Sequence, residues 1–255
     1  MAHSEPGVAD FTQHLRKWFE RRNMWNEEQH NSAIWNDIEQ LFQVLAGSIK
    51  RTDQFNTDVC KTAFPRWTLR NNMAQFVVCR RIVNIFLFMD GIDMVQEKWD
   101  RKGIFQGDEE FEQYVRCMLG NVAMAELFKN NCSAGEIIGA VSTGMHMWRG
   151  LSGHEDGSKI CRDINYGSLM IGSKFVAATM AGWIRNWSIK NGAGRLAATG
   201  TGVCKKENKN PEEGTEVPAV RMFQEEDNIV IRELVKEGVD METEKKKQML
   251  KELEQ

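Results

Sequence analysis

Proline is scarce in this chain of 255 residues: there are four, and none lies between Pro65 and Pro211. A stretch that long without proline, in a chain carrying 14 Met, argues against a fold built from many short strands and tight turns. The N-terminus, Met1 to Leu15, carries His3, Glu5, Asp10 and His14 and lacks the 7–15 consecutive apolar residues, roughly, that a signal peptide requires. No segment reaches the roughly 20 apolar residues that a bilayer span needs. The nearest candidates are interrupted, Phe76–Met89 by Arg80 and Arg81, and Leu169–Ile184 by Lys174. The chain as written is therefore expected neither to span a membrane nor to enter the secretory route by a signal peptide. A net charge of −3 offers no global attraction to nucleic acid or anionic lipid.

Recognisable chemistry is missing as well. There is no Cys-x-x-Cys, which removes zinc ribbons and thioredoxin-like redox sites. There is no His-Glu-x-x-His, no P-loop and no Gly-x-Ser-x-Gly elbow. Gly192-Ala193-Gly194-Arg195-Leu196-Ala197 formally matches a dinucleotide fingerprint, but a helical pattern precedes it where a strand is required; we read a hinge. Asp90 with Asp93, and Asp108 with Glu109 and Glu110, read as structural acids. The first pair adjoins a glycine turn, and the second set opens a helix, where the dipole favours acids. His146, among Met145, Met147 and Trp148, reads as a partly buried surface histidine. The tripeptides Asn131-Cys132-Ser133 and Asn186-Trp187-Ser188 are accidental glycosylation sequons. No catalytic, cofactor-binding or metal-ligating residue is assigned, and the expected chemistry includes no cofactor, no small-molecule substrate and no nucleic acid.

What the sequence does have is apolar residues at helical spacing: 42% of the chain is hydrophobic, with eight Trp and thirteen Phe, enough to fill a core. Val8, Phe11, Leu15, Trp18 and Phe19 make one stripe. Ile34, Trp35, Ile38, Leu41, Phe42, Leu45 and Ile49 make the clearest amphipathic helix, with Asn31 or Ser32 as its cap. After Phe64-Pro65 the chain is apolar on nearly every side from Thr68 to Met89, as a central buried helix would be; the β-prone Val77–Val83 and Ile85–Phe88 leave a buried strand at its end as the alternative. Its Arg80–Arg81 pair either meets buried carboxylates or marks a solvent face. Gly91 to Asp108 reads as a connection. Helices follow over 109–129, over 133–150 behind a Ser133–Glu136 capping box, and over 166–190, stopped by Asn191-Gly192, with the exposed loop Leu151–Lys159 between the last two. Trp35, Trp148, Trp183 and Trp187 fall on apolar faces and read as core, whereas Trp25, Trp67 and Trp99 lie near helix ends, where interaction anchors sit. Residues 205–255 carry 10 Lys+Arg and 14 Asp+Glu, net −4, which leaves +1 on residues 1–204. The expected architecture is all-α: one helical domain of about six helices over 8–204, then a charged linker and tail helix over 205–255.

The six cysteines, Cys60, Cys79, Cys117, Cys132, Cys161 and Cys204, taken alone read as reduced, buried thiols. Their surroundings point elsewhere. The blocks are Val59-Cys60-Lys61, Val78-Cys79-Arg80-Arg81-Ile82-Val83, Tyr114-Val115-Arg116-Cys117-Met118-Leu119-Gly120-Asn121-Val122-Ala123, Leu127-Phe128-Lys129-Asn130-Asn131-Cys132 with Gly135-Glu136-Ile137-Ile138, and Cys161-Arg162-Asp163-Ile164 leading to Leu169-Met170-Ile171-Gly172. In order and spacing, roughly over residues 8–204, this resembles the N-terminal extracellular alpha domain of the schizont-infected cell agglutination (SICA) variant antigens of malaria parasites. Phe11 to Trp18 and Ile34-Trp35 resemble that domain's opening.

The resemblance implies a non-catalytic antigen domain, exported to the surface of infected red cells without a signal peptide. It also implies antigenic variation, with host antibodies or host surface ligands as partners. Full-length members continue into cysteine-rich modules, a membrane span and a cytoplasmic domain. Here only the charged tail follows Cys204, as expected of a truncated member, a fragment or a single-domain relative. An oxidising location would make Cys60, Cys79, Cys117, Cys132 and Cys161 disulfide candidates, with 15 connectivities open for six cysteines. The Gly91–Asp108 and Leu151–Lys159 loops would be the epitopes. The competing reading is an intracellular helical adaptor with reduced core cysteines, its tail helix docking on a partner.

Overall fold

The computed structural model describes residues 8–22, 27–68, 70–95, 98–101, 103–105, 108–128, 131, 133–152, 170–171 and 174–191. Among them are seven helices: α1 Val8–Arg21, α2 Glu27–Ile49, α3 Gln54–Ala63, α4 Met73–Met89, α5 Glu109–Phe128, α6 Ala134–Ser152 and α7 Val176–Lys190. Two small antiparallel hairpins accompany them, β1 Ile92–Val95 with β2 Lys98–Arg101, and β3 Met170–Ile171 with β4 Lys174–Phe175. The domain is all-α, and the hairpins are appendages to a helical core.

α4 is the axis. It packs against α2, α3, α5 and α6 at once, which explains why its sequence lacks a polar side: from Ile82 to Met89 every residue is buried. α5 lies across it and also receives α1, α2 and α7. The α4–α5 crossing is close because position 120 has no side chain. A Cβ built on Gly120 would stand 2.6 Å from Met89 Sδ and 3.4 Å from Ile85 Cγ2. α2 contributes Ile34, Ile38, Leu41 and Leu45, each wholly buried, along one stripe.

The all-α domain of about six helices is as expected; the additional short helix, α3, lies in a stretch whose buried face is largely polar. Three expectations are corrected. α2 starts at Glu27, so Asn31 and Ser32 lie inside it and do not cap it. Gly91–Asp108 holds a hairpin, with Ile92 opposite Arg101 and Val95 opposite Lys98. The last helix begins at Val176, ten residues later than expected, since Met170–Ile171 folds back on Lys174–Phe175. The expected tail, 205–255, and the Gly192–Ala197 hinge lie outside the described residues, as does all of the Leu151–Lys159 loop beyond Ser152.

Candidate functional site

The ends of the helices carry more information than the core. α6 runs parallel to α4, and a buried ion pair joins their C-terminal ends. Arg149 Nε donates to Asp90 Oδ2 at 2.7 Å and Nη2 lies 2.6 Å from the same oxygen, with the two side chains 4% and 0% exposed. Asp90 also closes α4, its N–H donating to Phe86 O at 2.9 Å. Because the two segments expected to be variable follow Asp90 and Arg149 almost directly, this one contact roots both at the same end of the bundle.

The first of those segments is fixed at both of its ends. Gly91 takes φ +69°, a conformation that a side chain resists, and turns the chain out of α4 into the hairpin. On the return, Glu112 in the first turn of α5 accepts from the backbone N–H of Ile104 and of Phe105, at 2.6 and 2.5 Å. Its other oxygen takes Arg116 Nε at 2.8 Å and Nη2 at 2.7 Å. Arg116 in turn donates to Phe88 O at 3.1 Å, which also accepts from Gly91 N–H, and Gln113 donates to Met89 O, so the start of α5 is tied to the last carbonyls of α4. Phe105 stacks on Phe111. Asp108 sits in the last turn before α5, buried, 3.3 Å from Arg21 of α1. These contacts tie both stems of the loop to the core.

Elsewhere the acids are also structural. Asp37 accepts from Trp18 Nε1 at 3.1 Å and from Arg22 Nη2 at 2.6 Å, tying α1 to α2. Burial raises its pKa above the ordinary carboxylate value, and the Arg22 charge and both hydrogen bonds only partly offset that. Glu110 is exposed, 3.7 Å from His14 Nδ1 and 3.6 Å from Lys17 Nζ. Arg80 and Arg81 are half-buried on α4. Burial lowers the pKa of Arg81, and the neighbouring Arg80 charge lowers it further. His146 is exposed on α6. Among the described residues no group of three or more His, Cys, Asp or Glu is placed to hold a metal.

Cys60 of α3 and Cys79 of α4 form a disulfide, Cα–Cα 6.0 Å, with both residues wholly buried. Cys117 is disulfide-bonded too, and its partner lies outside the described residues together with Cys132, Cys161 and Cys204. No described cysteine is free. Trp35, Trp148, Trp183 and Trp187 are half-buried against the core: Trp183 meets Trp35 and Phe42, and Trp148 meets Phe55. Trp67 is half-buried, stacked on Phe64 with centroids 3.8 Å apart. The side chains of Trp25 and Trp99 lie outside what the structure describes. Residue-by-residue reading missed Arg149 and Glu112. Glu112 in a helix's first turn was a signal of a kind, but nothing local marks Arg149, whose partner is 59 residues away.

No helix among the described residues is long and apolar enough to cross a membrane. No curated protein and no solved structure matches the chain. The profile of the SICA extracellular alpha domain does match, over residues 12–183, from the middle of α1 to the middle of α7. With about two thirds of its length inside that match, the chain belongs to the SICA extracellular alpha domain family.

Proposed function

We propose that this protein is a non-catalytic variant surface antigen domain of a malaria parasite, displayed on infected red cells and bound by host antibodies or host surface ligands. The observation that carries the reading is the family match over residues 12–183. The geometry supports it in a specific way. Substitutions are tolerated best in connections that leave a rigid scaffold, and the 91–108 segment leaves this core through a fixed Gly91 turn and returns through the Glu112 clasp. Arg149 starts the second variable segment beside the first. One antibody footprint of about 800 Å² per partner can therefore cover both stems. Antigenic variation then consists of exchanging the tips while the stems stay.

The test uses antibodies raised against the folded protein. They are expected to stain intact infected red cells, and to lose most of their binding when 93–100 and 153–159 are replaced together by Gly/Ser segments of equal length. Staining only after permeabilisation would contradict surface display. Undiminished binding to the double replacement would contradict the placement of the epitopes.

A further inference from the structure

The chain is slightly acidic as a whole, yet from Val59 to Met89 it contains no Asp or Glu and five cations, Lys61, Arg66, Arg70, Arg80 and Arg81. The fold gathers this imbalance at the α3–α4 turn, the end opposite the loop stems. Arg66, Arg70 and Lys61 are exposed there, with Asp58 beside Lys61 at 3.7 Å. Among them lies apolar surface that nothing described covers. Met73 is 67% exposed, and Trp67, half-buried, stacks on Phe64 and meets Phe76, one helical turn from Met73, edge-on at 5.7 Å. Val77, Arg80 and Arg81 continue the Met73 face along α4 at spacings of three and four, and all three are half-buried.

The backbone of the turn is hydrogen-bonded to itself. Thr68 N–H donates to Asn72 Oδ1 at 3.2 Å, the N–H groups of Asn71 and Asn72 donate to Thr68 O at 3.2 and 2.9 Å, and Trp67 N–H donates to Phe64 O at 3.0 Å. Directly behind the turn, the Cys60–Cys79 disulfide fixes α3 to α4. Cations on a preorganised turn lose little entropy when they meet fixed anions.

We propose that the α3–α4 turn docks peripherally on anionic phospholipid bilayers, Lys61, Arg66 and Arg70 meeting headgroup phosphates while Met73 and the Trp67 edge enter the headgroup region. A soluble polyanion would use the cations alone; the exposed methionine beside an aromatic pair favours an interface that is apolar beneath its charge. Net charge does not oppose this docking, because charges more than a Debye length of about 8 Å from the turn are screened at physiological salt. The proposal is independent of the antigen reading and requires no spanning segment.

The test is flotation of the full-length protein at physiological salt with two kinds of vesicle, phosphatidylcholine alone and phosphatidylcholine mixed equally with phosphatidylserine. Binding is expected to the mixed vesicles only. Each arginine is worth about fivefold, so Arg66→Gln with Arg70→Gln weakens partitioning about twenty-five-fold. Arg66→Lys with Arg70→Lys restores it. Met73→Gln weakens it without altering its salt dependence, and Arg16→Gln on exposed α1 leaves it unchanged. Thermal melts of each variant show that the fold is intact. Failure to float with either vesicle overturns the proposal. So does equal binding to both, or equal loss from Arg16→Gln and the Arg66/Arg70 pair. Retention on heparin that is insensitive to Met73→Gln, without flotation, also overturns it and identifies a sulfated-glycan surface instead.

Discussion

The two ends of α4 are secured by opposite means. At the N-terminal end a covalent bond does it: Cys60–Cys79 fixes α3, and an aromatic stack seals the turn. At the C-terminal end a buried polar network does it, Asp90 with Arg149, and Glu112 with Arg116, beside Cys117, whose disulfide partner lies outside the described residues. A disulfide constrains the unfolded chain and tolerates imperfect surroundings. A buried ion pair is weak evidence for net stability, but it permits one register only, because any slip leaves an uncompensated charge. The difference teaches that holding the fold and aiming the loops are separate tasks here. The end that carries the proposed epitopes is the end built for register.

The comparison breaks most visibly if one member of the buried pair is removed. Arg149→Met takes the guanidinium away from the buried Asp90 carboxylate and is expected to cost about 3–5 kcal/mol in denaturant unfolding. Replacing both, Asp90→Leu with Arg149→Met, should recover most of that stability while antibody recognition of the loops stays impaired. A double replacement as unstable as the single one would mean that the pair supports stability more than register. Removing the disulfide with Cys60→Ser and Cys79→Ser should cost about 2–4 kcal/mol and leave loop recognition unchanged once the protein is folded. Loss of recognition in a folded sample would show that the two ends are coupled.

Gly120→Ala tests the crossing between the two ends, since its Cβ would drive against Met89, the last residue of α4. A loss of about 1–3 kcal/mol is expected, together with weaker protection of the Ile104 and Phe105 amides in hydrogen exchange. The smallest effect belongs to Asp37. Its pKa is raised in the fold, so its ionised form costs stability above that value, and the cost is relieved as pH falls through it toward 3.8. Relative to Asp37→Asn, the wild type should gain stability over that acid window. A relative loss would mean that the Arg22 pair outweighs burial.

The helices were legible where burial is apolar and one-sided. α2 shows its stripe at three and four, and α4 shows unbroken apolarity because four helices surround it. α3 was not legible, because its buried residues include Asn56 and Thr57, Asn56 donating to Asn84 Oδ1 in the interior. That pairing reverses the polarity a periodicity reading depends on. The first hairpin has strands of only four residues, too short for their alternation to stand out from a glycine-bounded connection, so it reads as a loop. The start of α7 was placed early because Leu169, Met170 and Ile171 are as apolar as the helix itself. Candidate cysteines could be named from the sequence, but Cys60 was not separable from the others until α3 lay against α4.

The most direct test of the central claim is peptide mapping by mass spectrometry of protein isolated from infected red cells, alkylated before any reduction. A disulfide-linked pair of peptides carrying Cys60 and Cys79 is expected, with neither cysteine alkylated until reductant and denaturant are both present. Cys60 and Cys79 recovered as alkylated free thiols from the unreduced protein would contradict an oxidised, stapled surface domain and would favour an intracellular helical protein instead.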